Sequence, residues 1–445
     1  MGGRVAAEAW LAALDPAAYG RSRNHLGGAV TRLSPYLRHG VLSLAEVRDA
    51  VFAWLDRQGY SGPGVAPARQ LEGQRLAERL ICELGWRDYW QRLWWVLGDR
   101  IWSDLEPLKT GIPASDYAAE LPAEIAEART GLACIDAFAG ELLGSGWLHN
   151  HARLWLASYV VHWRRVRWQA GAHWFLSHLL DADPASNNLS WQWVASSFRS
   201  KPYIFNRANL ERFGGGVHCQ HCPAAAAHSC PFEASYEQLQ AQLFGAMPQG
   251  ALPAEAVTAD AVTAEAVTAE AATDEAVTAE LQPLSPGPLQ RPLVWVHGEA
   301  LGPGNAALLA YPGALAVHVA PSEGSGAWPI SSSALQRRFE AQCLNGLPVL
   351  QQRGAVVAEV LALAAAHQAD GVVTTVAVDP QLQRQAQAIA AALPLQRLPG
   401  APGVALPQAQ GSTIPRELGR FSRYWKRAGP LVWQHWLTAQ PPQGD

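Results

Sequence analysis

Apolar residues recur at helical spacing through much of the first half of the chain. The clearest stretches are 70–103, 133–148 and 151–168, where apolar positions return every three or four residues. The β-branched runs typical of sheets are scarce between residues 40 and 245. The pattern therefore predicts a mainly helical domain over residues 1–245.

The pattern changes after residue 290, where short apolar runs alternate with helical segments. The expected strands are Leu293–His297, Ala314–Ala320, Pro348–Gln351 and Gly371–Val376. The expected helices are Ser333–Asn345, Ala355–His367 and Pro380–Leu393. This alternation predicts a doubly wound parallel sheet, a Rossmann-like α/β domain, over residues 291–400. Neither GxGxxG nor a Walker A sequence follows a strand, so no dinucleotide or nucleoside triphosphate motif is present.

Two further segments differ in composition from both domains. Residues 246–290 form an acidic linker, in which Ala256 to Glu280 are five consecutive pentapeptides of the AVTAE type. A five-residue period matches neither a helix nor a strand, and this composition cannot build a core. Residues 401–445 form a basic, aromatic tail. The tail could stack on nucleic acid or pack across the two domains.

The charge and the numbers of cysteine and tryptophan residues restrict which kinds of protein this chain can be. The net charge is −4, but residues 250–281 carry seven acids and no base, so the rest is slightly basic and permits a DNA-binding face. Six cysteines do not make a secreted disulfide framework, and neither a signal peptide nor an unbroken apolar span is evident. We expect a cytoplasmic monomer without a membrane partner. The 19 tryptophans, most of them before residue 200, suggest a large core, base stacking or electron transfer.

Two short motifs could form polar sites. Hydroxyl and amide side chains around Val30–Leu37 precede a helix, which suits a phosphate-binding site or an ordinary helix cap. Glu83, Trp86 and Arg87 share one helical face. They could be a surface ion pair with core packing, or the wall of a polar pocket.

A third set of motifs is more specific. It comprises residues 130–137 (TGLACIDA), 146–153 (GWLHNHAR), 180–183 (LDAD), Asn187 and 191–193 (WQW). With the two motifs above, this order and spacing closely resemble the FAD-binding domain of the photolyase/cryptochrome family, over roughly residues 16–210. The α/β domain resembles the N-terminal domain of that family, placed here at the C-terminus.

The resemblance implies bound FAD and names its contacts. Thr31–Ser34 would hold the diphosphate, although Val30 stands where the family often has a hydroxyl. Arg153 and Asp181 would form a buried pair beside the isoalloxazine, and Asn187 would sit at flavin N5. The full set of implied FAD contacts is Tyr19, Thr31, Arg32, Leu33, Ser34, Arg87, Asn150, Arg153, Asp181, Asp183 and Asn187.

The resemblance also implies a substrate pocket and an electron path. The substrate residues would be Glu83, Trp86, Asn150, His151 and Trp193, and the catalytic residues would be Glu83, Asn187, Trp168 and Trp191. His151 stands where repair enzymes usually have Arg. The outer tryptophan of the photoreduction chain is missing, because residues 111–130 contain only Tyr117 as a large aromatic.

Three functions remain open on these residues. The first is light-driven repair of cyclobutane pyrimidine dimers in UV-damaged DNA, a carbon–carbon lyase reaction with reduced FAD as electron donor. The second is a cryptochrome-like photoreceptor without repair, and the third is a flavin fold kept as a structural module. An antenna chromophore is left open, because Gly298-Glu299-Ala300 replaces the Arg and Asp usual after the first strand.

A short cysteine and histidine cluster lies beyond the region of resemblance. Cys219 and Cys222 form a CxxC pair, Cys230 follows, and histidines are interleaved. These residue types bind zinc or an iron–sulfur cluster, but a second CxxC is missing. The cluster therefore predicts either a metal site on the three cysteines or a loop with free or paired thiols.

Overall fold

The computed structural model describes residues 1–245, 289–322, 331–400, 403 and 416–438. The first 245 residues are helical, as the apolar spacing predicts. Their α-helices are α1 (Arg4–Ala12), α2 (Pro16–Ser22), α3 (Ser34–Arg38), α4 (Leu44–Arg57), α5 (Pro67–Leu97), α6 (Ala123–Ala126), α7 (Ala133–Ser145), α8 (Asn150–Ser158), α9 (Trp168–His178), α10 (Pro184–Ala195), α11 (Arg207–Gly214), α12 (Val217–Gln220), α13 (Pro223–Ala226) and α14 (Tyr236–Phe244).

Local sequence sets where the helices that carry the site begin. Helix α4 starts with a capping box, in which the Ser43 hydroxyl and the Glu46 carboxylate accept each other's backbone N–H. Helix α10 starts at Asp183, whose carboxylate accepts the Ser186 N–H, followed by a proline in the first turn. The 31-residue helix α5 also begins with proline, and its second half is largely buried. This makes α5 the central support of the helical half.

The second half contains a five-stranded parallel sheet. Its strands are β1 (Pro292–Trp295), β2 (Ala316–Pro321), β3 (Leu350–Gly354), β4 (Gly371–Thr375) and β5 (Leu395–Leu398), in the spatial order β3-β2-β1-β4-β5. Its helices are α15 (Ala306–Ala310), α16 (Ala334–Leu344), α17 (Val356–Ala366) and α18 (Pro380–Ala390). All strand pairs are parallel, and Val294 is paired with Ala316 on one side and Val373 on the other. The predicted doubly wound α/β fold is confirmed.

The two faces of the sheet bury different cores. Leu293 and Trp295 pack with α17 and α18, whereas Val294 and Val296 pack in a core that also contains Val51 of α4. The helical and α/β halves thus share a hydrophobic core. Polar contacts reinforce this docking, because the Gln336 amide donates to the Leu176 and Leu179 carbonyls at 2.7 Å.

Some expected elements differ from the observed ones. Strand β5 was not predicted, because Gln396 and Arg397 interrupt its apolar pattern. The tail forms helix α19 (Phe421–Thr438), which packs on α4 and α5 despite Pro430 within it. The AVTAE repeats at 256–280 lie outside the described residues. Among the helices that are described, none has the length and apolar character needed to cross a membrane.

Candidate functional site

The first buried ion pair joins α8 to the segment before α10. The Arg153 Nη2 atom lies 3.1 and 3.0 Å from the two carboxylate oxygens of Asp181, and its Nε donates to the Leu148 carbonyl at 2.9 Å. Asp181 is only 7% exposed. Burying such a pair gives little net stability, because both charges lose water. The pair therefore suits a site that handles charge better than it suits a structural role.

A second ion pair lies two residues further along. The Asp183 carboxylate accepts from Arg87 Nη2 at 3.1 Å, from Gln91 Nε2 at 2.8 Å and from the Ser186 N–H at 2.7 Å. Burial would raise the pKa of Asp183, but Arg87, Arg38 and the Ser186 N–H bring that pKa below its ordinary value. Asp183 is therefore an anion held by α5. Gln91 was missed in the sequence, although it follows Arg87 by one helical turn.

Asn187 has a fixed amide orientation. Its Nδ2 donates to the Ala172 carbonyl at 3.1 Å and to Asn188 Oδ1 at 3.0 Å, which uses both amide hydrogens. The carbonyl oxygen is left to act as an acceptor. An acceptor at this position fits a flavin that carries a proton on N5. The donor set of this chain thus fits the implied FAD at Asn187, Asp181 and Arg153.

The Thr31–Ser34 stretch forms a tight turn into α3. The Thr31 hydroxyl accepts the Leu33 N–H at 3.4 Å, Leu33 is buried, and Ser34 is the first residue of α3. Arg32 has a φ of 52° and is exposed, and its guanidinium lies 4.0 Å from the ring centre of Trp147. The hydroxyls of Thr31 and Ser34 remain half-buried beside this cation, an arrangement that suits a phosphate group.

Glu83 forms a small polar group with Tyr19 in α2 and with Arg23, which follows the last residue of that helix. Arg23 Nη2 lies 3.4 Å from Glu83 Oε1, and the Arg23 guanidinium is 6.0 Å from the ring centre of Tyr19. Burial, followed by the Glu83 charge, raises the pKa of Tyr19, so its hydroxyl stays protonated. The Glu83 side chain remains 35% exposed, whereas Arg23 is buried. Arg23 is thus the ion-pair partner of Glu83. The two residues are far apart in the sequence, and this pair was not predicted.

The residues expected to line the substrate pocket are not gathered in one cavity. Trp86 is buried against α19, in a different hydrophobic cluster from Trp193. Trp193 packs with Tyr203, and the Arg199 guanidinium lies 4.0 Å from its ring centre. Asn150 is exposed at the start of α8.

His151 points into the protein core. Its ring stacks on Trp155 at 5.0 Å, and its Nδ1 lies 2.5 Å from the Asn24 carbonyl. His151 is only 2% exposed. In this arrangement its imidazole is a packing group, so Asn150 and Glu83 are the exposed polar members of the expected set.

Trp191 and Trp168, which the resemblance implies as an inner electron path, are both buried in the same hydrophobic cluster. Trp191 packs edge-on to Phe175 at 5.0 Å, and Gly171 leaves room for its ring. Trp168 Nε1 donates to Asp104 Oδ1 at 2.5 Å. Trp168 also lines a cavity of about 250 Å³ together with Tyr117. Tyr117 is therefore a large aromatic residue that shares a cavity with Trp168.

A cavity of about 390 Å³ lies between the two halves. Its lining includes Arg38, Arg87 and Asp183 from the helical half and Glu299 and Thr375 from the carboxyl ends of β1 and β4. This is the point where the strand order reverses, the usual ligand position in doubly wound sheets. The Arg38 guanidinium lies 3.1 Å from Glu299. The cavity has room and charged groups for a small polar ligand.

The metal site expected on Cys219, Cys222 and Cys230 is not formed. Within the described ranges, no three His, Cys, Asp or Glu side chains are placed so that they could hold a metal ion. The three residues are free thiols, with Cys222 at the start of α13 and Cys230 beyond the following turn. Burial raises the pKa of Cys219 to about 11, so this thiol stays protonated at neutral pH.

A protein-family model matches part of the helical half. Residues 80–214 match the family model described as the FAD binding domain of DNA photolyase. This range contains both ion pairs and Asn187, whereas Tyr19 and the Thr31–Ser34 turn precede it.

Curated relatives match over the same part of the chain. A deoxyribodipyrimidine photo-lyase of Streptomyces griseus is 35% identical over 171 residues, which are 38% of this chain and 33% of the relative. One of Agrobacterium fabrum is 31% identical over 174 residues, 38% of this chain and 32% of the relative. The matched region thus spans about a third of the length of these curated relatives.

A solved structure of a Synechocystis cryptochrome is also similar. It has a TM-score of 0.41 and 22% identity, and covers 55% of this chain and 51% of that chain. A TM-score below 0.5 does not by itself establish a common fold. The similarity to photolyases therefore rests on the sequence matches.

Proposed function

We propose that the helical half, in which residues 80–214 match the FAD binding domain of DNA photolyase, binds FAD and uses blue light to split cyclobutane pyrimidine dimers in DNA. The observation that carries the flavin part of this proposal is the fixed acceptor of Asn187 close in sequence to two buried Arg–Asp pairs. The deoxyribodipyrimidine photo-lyases among the relatives support the repair part.

In this proposal each polar group has a separate task toward the flavin. Thr31, Ser34 and Arg87 bind the diphosphate, and Arg153 with Asp181 lies beside the ring system. Asn187 accepts a hydrogen bond from the ring and so biases its protonation. When bound, reduced FAD would supply, after absorbing light, the electron that splits the dimer.

Glu83 and Asn150 are proposed to hold the dimer. Both are at least partly exposed, as a substrate contact requires. Arg23 keeps Glu83 in place. The step requires the protonated form of Glu83, whose O–H can donate a hydrogen bond to the anion that develops on the dimer and can contribute about 1.5 to 3 kcal/mol. Taking a damaged base pair out of the duplex costs less than extruding an intact one, which favours damaged DNA as the substrate.

The repair proposal is tested with flavin-loaded, chemically reduced protein. Under blue light, an oligonucleotide with one thymine dimer should be repaired, and Glu83→Ala should lower the yield while FAD stays bound. Glu120→Ala, at an exposed position away from these groups, serves as the control. If bound, dimer-containing DNA stays unrepaired by illuminated wild type, the repair proposal fails.

A photoreceptor without repair is the second candidate, and one observation favours it. Phe421 of α19 stacks on Trp86, the residue expected to pack against the dimer. A receptor needs flavin photochemistry but no open pocket at Trp86. Reversible light-driven reduction of the bound flavin, without repair in any of the variants below, would favour this candidate.

The inter-half cavity is the proposed place to seek an antenna pigment. The side of this cavity formed by Arg38, Glu299 and Thr375, which are not assigned to the flavin, suits a polar chromophore. A second absorbance band beside that of the flavin in purified protein would support such a pigment. The cytoplasmic location, the monomeric state and the domain boundaries stay predictions from the sequence.

A further inference from the structure

Helix α19 closes over the aromatic face of α5. The Phe421 ring stacks on Trp86 with centroids 3.7 Å apart and planes inclined by 11°. The Trp90 ring also packs against the Trp86 indole, with ring centroids 5.1 Å apart. Trp86 is only 8% exposed. A nucleobase therefore cannot stack on Trp86 while α19 is in place.

Glycine at position 85 leaves room for one of the side chains by which α19 docks on α5. A Cβ atom on Gly85 would lie 2.1 Å from Cζ3 of Trp425, so only glycine admits this indole. The indole N–H groups of Trp425 and Trp433 both point to the Glu78 carboxylate, at 3.4 and 2.9 Å. Gly85 and Glu78 thus form a receptor for α19 on the surface of α5.

Trp86 also carries a buried donor without a partner. Its Nε1 is among the buried side-chain nitrogen atoms of the described residues that make no hydrogen bond. Leaving a buried donor unpaired costs free energy. Displacement of α19 would allow this N–H to bind water or a ligand.

The outer face of α19 carries positive charge. Arg423, Lys426 and Arg427 are exposed there, and residues 420–438 contain no Asp or Glu. Lysine and arginine side chains attract the phosphates of nucleic acid. The helix that covers Trp86 is therefore also the helix that nucleic acid would meet.

From these contacts we propose that α19 is an intramolecular cover of a base-stacking site on Trp86. Phe421 holds the place that a pyrimidine flipped from damaged DNA takes, and DNA binding displaces the helix. This inference rests on the substrate role of Trp86 in the proposed function. The closed helix lowers the apparent affinity by the fraction of molecules that are open.

Gly85→Ala is the variant that opens the cover. The added methyl displaces Trp425 from α5, and alanine is itself favourable inside a helix. Gly140→Ala is the matched control, because Gly140 lies in α7 and has open space at its Cβ. The double variant Gly85→Ala/Trp425→Ala removes the clash and should let α19 close again.

Hydrogen exchange on the DNA-free protein tests the cover itself. Amides of residues 421–438 should exchange faster in Gly85→Ala than in wild type or Gly140→Ala, with slower exchange restored in the double variant. Wild-type protection in Gly85→Ala would overturn the proposed docking. This readout needs neither FAD nor DNA, so it is independent of the proposed function.

Affinity for DNA tests the stacking site. Gly85→Ala should bind an oligothymidylate with one dimer about tenfold more tightly than wild type, if the cover is closed in about nine molecules of ten. The undamaged oligonucleotide should gain less. Unchanged affinity after release of α19, or equal gains for both oligonucleotides, would overturn the inference. Tighter dimer binding without light-driven repair would keep the cover and refute only the repair reaction.

Discussion

Asp181 can be buried only because Arg153 neutralises it, which makes the pair vulnerable to loss of either member. The Arg153 Nη2 atom lies 3.0 Å from the Asp181 carboxylate. Asp181→Ala would remove this carboxylate and leave the guanidinium without its partner. We expect a loss of about 2 to 4 kcal/mol in the free energy of unfolding, because a partly buried charge is left without its partner. The loss is smaller than for a fully buried pair, because the Arg153 side chain keeps some contact with water. FAD content after purification should fall as well. Denaturant titration and flavin absorbance measure the two effects.

The exposed pair of Arg129 and Glu127 supplies the control for this prediction. Its side chains are both 59% exposed, and exposed pairs contribute little to stability. Glu127→Ala should leave both the unfolding midpoint and the FAD content unchanged. Equal effects of the two substitutions would show that the Arg153–Asp181 pair has no special role.

The next prediction concerns His162 and the loss of folding stability at low pH. Burial lowers the pKa of His162 to about 4, and its Nε2 is bonded to the Val194 carbonyl at 3.0 Å. In the unfolded chain the imidazole titrates near 6.5. The unfolded state therefore binds more protons as the pH falls from about 6.5 toward 4, and stability is lost over that range. His162→Gln should reduce this loss.

Chemical unfolding at several pH values between 7 and 4 measures the slope. His367→Gln, at an exposed position, is the control and should keep the wild-type slope. A wild-type slope in His162→Gln would mean that other buried groups cause the acid loss.

At the scale of elements, glycine decides how closely α9 and α10 pack. A Cβ on Gly171 would lie 2.2 Å from Cη2 of Trp191, so Gly171→Ala must displace the ring. Overpacking of this kind costs about 1 to 3 kcal/mol, partly offset by the helix propensity of alanine. Photoreduction of the bound flavin should also slow, because the ring of the electron path moves. Gly144→Ala, with open space at its Cβ, should show neither effect.

Trp191→Phe separates electron supply from repair. The substitution removes the indole next to Phe175 but keeps an aromatic ring in the core. Light-driven reduction of oxidised flavin should slow, whereas repair by chemically reduced protein should remain close to wild type. Flash photolysis and a repair assay measure the two rates. Equal loss of both would place Trp191 in the repair step itself.

Most elements of the fold could be predicted, because each depends on a local pattern. Strands β1 and β4 are short apolar runs, and helices α17 and α18 contain apolar residues at helical spacing. Strand β5 lies at the edge of the sheet, where Gln396 and Arg397 are tolerated, so its pattern is weak.

The Arg153–Asp181 pair was implied by the family resemblance, whereas the Arg87–Asp183 pair and the contact of α19 with Trp86 were not predicted. Phe421 and Trp86 are far apart in the sequence, and their contact depends on how α19 docks. The apolar spacing of Phe421, Tyr424, Ala428 and Val432 does indicate a helix. Pro430 is unfavourable inside a helix, and no local sequence pattern marks the surface of α5 on which α19 packs.

At the scale of the whole molecule, the shared core joins the two halves. Phe339 of α16 lies 5.4 Å from Tyr36 and 5.5 Å from His39, both in the helical half. Phe339→Ala should cost about 3 to 5 kcal/mol and weaken both halves together. Tryptophan fluorescence and circular dichroism should show one shifted transition. Two separate transitions would show that the halves fold independently.

The most direct test of flavin-dependent repair follows one sample under blue light. The protein is loaded with FAD, chemically reduced and mixed with an oligothymidylate that contains thymine dimers, and the thymine absorbance is recorded over time. Our account predicts that this absorbance recovers in the light, stays constant in the dark, and stays constant in the light without FAD. Bound flavin with no recovery under illumination would contradict it.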